Sequence, residues 1–373
     1  MPAENLQLPT ADGRPPQRRR SAAHYLTAFL TSPRLALALL VGVLACCLVG
    51  VTILRGQRAW EAIFSALWFN ALLVLLAVSS AVAFFSRIWR RKLTLVSAGM
   101  ILFHLCFATL LGGVVYNGLC HFHGVLRITE GETLPNGELG SYDEFEKGRF
   151  FEPSSLRGRT TLLRMHRGYT VDGLDKRAAY EVQVGDGARR EHQIIFLTRH
   201  LAFEGVRYFP SKEGYSVLVV MNDRDGKLIY GAHVPLQSLR QPDGGYLYAT
   251  GTSEGPAALP FPSEPERPTM GLQLFYRPNT VIERSGEVTF ELWPLEGHAG
   301  GEPRRSSAIP VGGSFDAGDF TLSPSEIRYW VGMSVRYDPG LNIALGSLVA
   351  GLLGMTLTFV GRVRQGAARK RAA

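Results

Sequence analysis

Apolar residues along this chain are bunched, not spread. Four runs, 35–54 (LALALLVGVLACCLVGVTIL), 67–86 (LWFNALLVLLAVSSAVAFFS), 93–116 (LTLVSAGMILFHLCFATLLGGVVY) and 341–361 (LNIALGSLVAGLLGMTLTFVG), contain no Asp, Glu, Lys or Arg. Crossing a bilayer takes about 20 residues at about 1.5 Å of helical rise each, so each run predicts a transmembrane helix. The competing reading, helices buried inside a large soluble protein, would need four of them without a single charge. Between the third and fourth runs the pattern changes to short alternating or β-branched stretches: 179–184, 192–198, 216–221, 227–233, 245–250, 271–277, 287–293 and 318–322. Turn formers such as 223–226 (DRDG) and 242–245 (PDGG) separate them, and no comparably long 3.6-residue period intervenes. The Pro-, Gly- and Ser-rich stretch 251–270 predicts an exposed loop.

Charge orients these elements. The chain has 373 residues and a net charge of +8, from 40 Lys plus Arg against 32 Asp plus Glu, which would admit a nucleic-acid partner if the excess were spread over the surface. Instead, fourteen basic residues fall in three short segments: 1–34 (Arg14, Arg18, Arg19, Arg20, Arg34), 87–92 (Arg87, Arg90, Arg91, Lys92) and 362–373 (Arg362, Arg364, Arg369, Lys370, Arg371). The remainder carries 26 basic and 30 acidic residues, a net of −4, so no nucleic-acid surface is indicated. Short Lys/Arg-rich loops stay cytoplasmic, and all three segments agree with one alternation of four spans. The predicted fold class is an integral membrane bundle of four transmembrane helices with a large extracytoplasmic all-β, sandwich-like domain inserted between helices 3 and 4. In chain order this gives a basic, mostly disordered cytoplasmic tail (1–34), three helices within 35–116, the extracytoplasmic β-rich domain (117–340), the fourth helix (341–361) and a second cytoplasmic tail (362–373). The loop 55–66 then lies outside. Such a chain is a multi-pass protein of the inner (cytoplasmic) membrane with both termini inside and the lipid bilayer as its first partner. A cleaved signal peptide is disfavoured because no apolar run begins before residue 35 and no A-x-A site follows it.

Few residues offer chemistry. The outer domain has no G-x-S-x-G, H-E-x-x-H or G-x-x-x-x-G-K motif, and its histidines (His166, His192, His200, His233, His298) form no i,i+2 or i,i+4 pair. The four cysteines contain no C-x-x-C. No catalytic residue is assigned. His104 is different. It lies mid-way along the third run, about 17 Å from either end at helical rise, and ionisable side chains at that depth point to function and to a partner. Ser97, Ala108 and Gly112 share its face, small enough to admit another helix or a flat ligand. Neutral imidazole is the usual axial ligand of heme iron; hydrogen bonding to a neighbouring helix is the competing role. His121 and His123 follow the third run in NGLCHFH. On an extended segment they point the same way, and could take a metal or heme from the outer face or form a polar pair flanking Phe122. Asn117–His121 is one cysteine short of a C-x-x-C-H site, leaving Cys120 as a remote candidate for a single thioether. Small-residue stripes (Gly42, Cys46, Gly50; Ser347, Gly351, Met355, beside Gly346, Ala350 and Gly354) predict helix packing, and Asn70 a hydrogen bond across the bundle.

Together, these features resemble the ResB family of cytochrome c biogenesis membrane proteins. The architecture of three spans, an outer β-rich domain and a final span is similar to theirs. So are 67–134, from WFNALL through His104 to GVLRITEGETL, and 329–361, with Asp338-Pro339-Gly340 before the last helix. The likeness covers the whole chain by architecture and about 100 residues by motif. The outer domain departs: 197–206 reads LTRHLAFEGV where the family carries an Asn-x-Pro-Leu stretch. The resemblance implies a subunit that pairs with a ResC-type multi-span membrane protein, moving heme outward for covalent attachment to the C-x-x-C-H cysteines of apocytochrome c. It implies that His104 holds heme iron in transit. The Trp-rich outer loop that presents heme in the partner is missing here, so the chain would be part of a heme-attachment complex and not catalytic alone. A non-catalytic scaffold or sensor, whose outer domain binds an extracytoplasmic partner while His104 is structural, is the alternative. A transporter is disfavoured, because paired broken helices and intramembrane acids are missing.

Overall fold

The computed structural model describes residues 22–88, 93–242, 244–252, 255–263, 267–279, 281–295 and 303–372. The chain divides into two compact units, a helical one up to Gly118 and from Gly340 onward, and a β unit spanning Leu119–Pro339.

The helical unit contains α1 (Ala22–Leu30), α2 (Pro33–Val49), α3 (Gly56–Ala59), α4 (Leu67–Ile88), α5 (Leu95–Cys120) and α6 (Leu341–Ala372). Pro33 opens α2 at a position where its missing N–H costs nothing. A π-helical turn, Gly50–Leu54, continues it. Among the described residues, four segments are long and apolar enough to cross a membrane: Pro33–Leu54, Leu67–Phe85, Leu95–Cys120 and Leu341–Arg371. They contain most of each predicted run, but α5 continues four residues past 116 and α6 runs through the basic tail. Leu37, Leu44 and Leu48 on α2 and Leu348, Leu352 and Phe359 on α6 are exposed, the kind of surface hydrocarbon covers.

Two segments expected to be irregular are helical. Residues 22–30, within the tail read as disordered, form α1 because AAHYLTAFL lacks Gly and Pro and holds good helix formers. Ser79 Oγ of α4 donates to Leu30 O at 2.7 Å. The rest of that expectation, residues 1–21, lies outside the described residues. The loop 55–66 contains α3 and a π-helical turn, Trp60–Phe64, and buries Ile63 with Phe69, Leu73, Leu76 and Leu111.

Helices α5 and α6 meet through glycine. A Cβ on Gly99 would lie 2.5 Å from Thr358 Oγ1, one on Gly354 2.8 Å from the Phe103 nitrogen, and one on Gly361 2.7 Å from a Val96 methyl. These backbones approach as small residues permit. The predicted stripes are only partly used. Gly42 and Gly112 face open space, whereas a Cβ on Gly50 would meet the Phe64 ring at 2.8 Å. Asn70 bonds locally instead of across the bundle: its Nδ2 donates to the carbonyls of Phe64 (3.3 Å) and Ala66 (3.0 Å), in the segment just before its own helix.

The β unit is antiparallel and built of three larger sheets. Its seven-stranded sheet runs Leu228–Pro235, Val206–Asn222, Thr321–Tyr337, Phe122–Thr129 and Tyr142–Lys147, with two short strands beside this path. A six-stranded sheet runs Gln237–Arg240, Tyr246–Ala249, Met270–Pro278, Gly286–Trp293 and Arg305–Pro310, with Leu259–Phe261 beside it. The four-stranded sheet runs Thr133–Pro135, Arg159–Arg167, Ala178–Asp186 and Arg189–Ile195. One buried cluster joins them, including Leu126 and Val217 from the first, Leu274 and Phe290 from the second, and Leu162 and Val182 from the third. Three sheets share this core, where a simple sandwich has two. The stretch 251–270 is not wholly a loop: Leu259–Phe261 pairs with 270–272 and Phe261 is buried.

Candidate functional site

His104 sits nine residues past Leu95 and sixteen before Cys120, about 14 Å and 24 Å at helical rise. It therefore lies nearer the α5 amino terminus than the run 93–116 implied, because the helix extends to Cys120. Its Nδ1 is 2.9 Å from the carbonyl oxygen of Met100, one turn earlier. A carbonyl only accepts, so Nδ1 is the donor in this contact, and in a neutral imidazole that leaves the lone pair on Nε2. Phe84 of α4 stacks on the imidazole at 3.9 Å and 10°, and Phe103 meets it edge-on at 5.3 Å. The ring is thus fixed in plane by one aromatic face and in tautomer by one backbone bond. Phe84 was not legible as a site residue, since one Phe in a uniformly apolar run carries no signal.

His104 lines a cavity of about 800 Å³, within the range of small-molecule and cofactor sites. Ser97 and Met100 of α5, Ser80 and Ala83 of α4, and Ala36 of α2 form part of its wall. Thr31, Ser32, Thr94 and Gln365 line it as well. In sequence these neighbour the basic segments: Arg34 follows Ser32, 87–92 precedes Thr94, and Gln365 follows Arg364. Of the predicted face around His104, Ser97 belongs to the cavity, whereas Gly112 is exposed and apart from it.

His121 and His123 do share one side, with ring centroids 5.7 Å apart. Each faces a carboxylate. His121, fully buried, has Nε2 3.3 Å from Glu146 Oε1. His123 Nε2 is 3.2 Å from Asp338 Oδ1, and Arg207 Nη2 donates to Asp338 Oδ2 at 2.6 Å. Strand pairing builds this network: His123 is opposite Glu146 on one neighbour and Arg336 on the other. Asp338 of the Asp-Pro-Gly segment thus holds a histidine and an arginine. Gly340 has its own reason: a Cβ there would lie 2.1 Å from the Gly113 carbonyl. Cys120 closes α5, partly buried, with a free thiol.

Strand pairing also joins two histidines that spacing kept apart. His192 Nε2 is 2.9 Å and His166 Nε2 3.4 Å from the two oxygens of Glu181. Among the described residues no group of three or more His, Cys, Asp or Glu is arranged to hold a metal ion.

No protein-family model and no curated protein matches this chain. The chemistry of the site therefore rests on its own residues. For an iron-bearing ligand the fit is one-sided: the His104 lone pair suits one axial position, and the cavity has space for a flat body. Among the described residues neither a second His nor a Cys lines that cavity, while Met100, whose thioether is another type of heme ligand, does.

Proposed function

We propose that this chain is a heme-handling membrane subunit of the ResB type, working with a ResC-type multi-span partner to bring heme to apocytochrome c. Heme is cargo in this reading. His104 would hold its iron through Nε2, with Phe84 and the Met100 carbonyl keeping the imidazole oriented, as the outer partners of metal-ligating histidines generally do. The observation that carries the reading is the His104 tautomer: Nδ1 is committed to Met100 O, which leaves the ligating nitrogen available in a cavity-lining ring. The Ser32 hydroxyl, and the basic segments that neighbour Ser32, Thr94 and Gln365 in sequence, suit a ligand that carries carboxylates at one edge. With both termini inside the inner membrane and 117–340 outside, as the basic segments imply, that end of the cavity is the cytoplasmic one. Attachment of heme to cysteine is left to the partner, and this chain supplies passage and orientation.

The test is heme content. Full-length protein made under heme-replete conditions with a ResC-type partner should purify with a Soret band, quantified against protein. A colourless preparation of the pair would favour the scaffold or sensor reading.

A further inference from the structure

We infer that the β unit carries a separate binding site, independent of the heme reading, for a small flat organic anion of the aromatic-carboxylate class. The site is a cavity of about 490 Å³ where the three sheets meet. Arg167 reaches it from the end of the four-stranded sheet, Lys212–Tyr215 and Tyr329–Trp330 from the seven-stranded sheet, and Gln237–Arg240 from the edge of the six-stranded one.

Its floor is aromatic and rigid. Tyr215 lies 4.7 Å from Tyr248, 5.0 Å from Tyr276 and 5.3 Å from Tyr329 by ring centroids. Beside it, Trp330 Nε1 donates to Leu236 O at 2.9 Å. A Cβ on Gly214 would lie 2.6 Å from that nitrogen, so the indole edge occupies the space that any other residue would need. Tyr246 and Tyr248, stacked at 6.5 Å and 24°, also line the cavity, and such aromatic faces stack on a flat ring at little entropic cost.

The rim is cationic. The Arg167 guanidinium lies 4.8 Å over the Tyr329 ring and 5.4 Å over Tyr215, and Lys212 and Arg240 add two further charges. Among the described lining residues the carboxylate is Glu213, which accepts a short hydrogen bond from the Tyr180 hydroxyl. Among these residues three cations stand against one tied carboxylate, a balance that favours an anion. Burial raises the Tyr248 and Tyr329 hydroxyls above their ordinary pKa, so they stay protonated as donors.

Backbone irregularities converge on the same place. The register of Val206–Asn222 against Thr321–Tyr337 shifts between Pro210 and Lys212, and Ser211 Oγ pins the shift by donating to Gly332 O at 2.6 Å. The register of Arg159–Arg167 against Ala178–Asp186 shifts between Leu162 and Arg164. Bulges re-aim side chains beside functional sites, and here they lie just before Lys212 and Met165–Arg167.

Calorimetric titration of the full-length protein with naphthalene-2,6-dicarboxylate tests the site. Saturable one-site binding is expected, with adipate (no ring) and 2,6-bis(hydroxymethyl)naphthalene (no charge) each weaker by about tenfold or more, about 1.4 kcal/mol. Arg240→Glu, at an exposed position, should weaken the dicarboxylate about tenfold or more by placing like charge on the rim. Arg167→Gln should do the same, and Arg240→Glu keeps the test decisive if Arg167→Gln loosens the tyrosine floor. Absence of saturable binding, equal binding of adipate, or an Arg240→Glu affinity equal to wild type would each overturn the assignment.

Discussion

Asn136 holds several segments of the β unit together by itself. Its Nδ2 donates to Arg157 O (2.9 Å) and to the Tyr208 hydroxyl (3.1 Å), and its Oδ1 accepts from Thr160 Oγ1 (2.6 Å). The Tyr142 hydroxyl donates to its backbone carbonyl. All of this is out of water, and each orphaned buried group costs about 1–3 kcal/mol. Asn136→Leu should therefore lower the urea midpoint of β-unit unfolding without changing its slope, read by circular dichroism. His233 gives a pH signature. Burial pushes its pKa below the ordinary value, Arg328 adds to this and Glu326 opposes it. The folded β unit binds that proton less readily than the unfolded chain, so the contribution is intact above about pH 6.5 and is lost as pH falls below it through the folded pKa. The melting temperature should fall from pH 7.5 to 5.5, and His233→Gln should flatten that fall. At this scale sequence reasoning singled out His104, because one imidazole in a charge-free run stands out. It missed Asn136, Phe84 and the His166–Glu181–His192 set, whose roles arise only when strands pair or helices pack.

At the scale of elements, the sequence marked the four long helices because apolar length is a local property. It did not show which helix faces meet. Gly112 was on a predicted face and has nothing near it, whereas Gly354, beside a predicted stripe, does meet α5 at Phe103 and Gly99, a choice made by the partner helix. Gly354→Leu should thus destabilise the helical unit by about 1–3 kcal/mol through overpacking, whereas Gly112→Leu should be silent in thermal unfolding of the detergent-solubilised protein. The two longest strands, Val206–Asn222 and Thr321–Tyr337, have 17 residues each. They were only partly legible because Pro210, Gly214, Pro324 and Gly332 interrupt their pattern. Bulges and neighbouring strands carry the ladder past these residues, and that is tertiary information.

For the whole molecule, the β unit enters and leaves on neighbouring strands, with Phe122 opposite Tyr337. A unit whose ends lie together and whose core is its own can be excised. Residues 119–339 expressed alone should be mostly β by circular dichroism and should not bind heme stoichiometrically. The proposed topology rests on the basic segments: reporter fusions at residues 150 and 370 should read outside and inside, and the reverse pattern would overturn the orientation. The central claim concerns one nitrogen, and His104→Gly tests it most directly, with heme content of the purified complex measured with and without imidazole. Removing a ligand should cost more than the roughly 10–100-fold typical of outer-shell changes, so the Soret band should be lost at normal protein yield. Millimolar imidazole should restore it by occupying the vacated ring position. Full heme content in His104→Gly without imidazole would contradict the assignment and leave His104 as a structural residue stacked on Phe84.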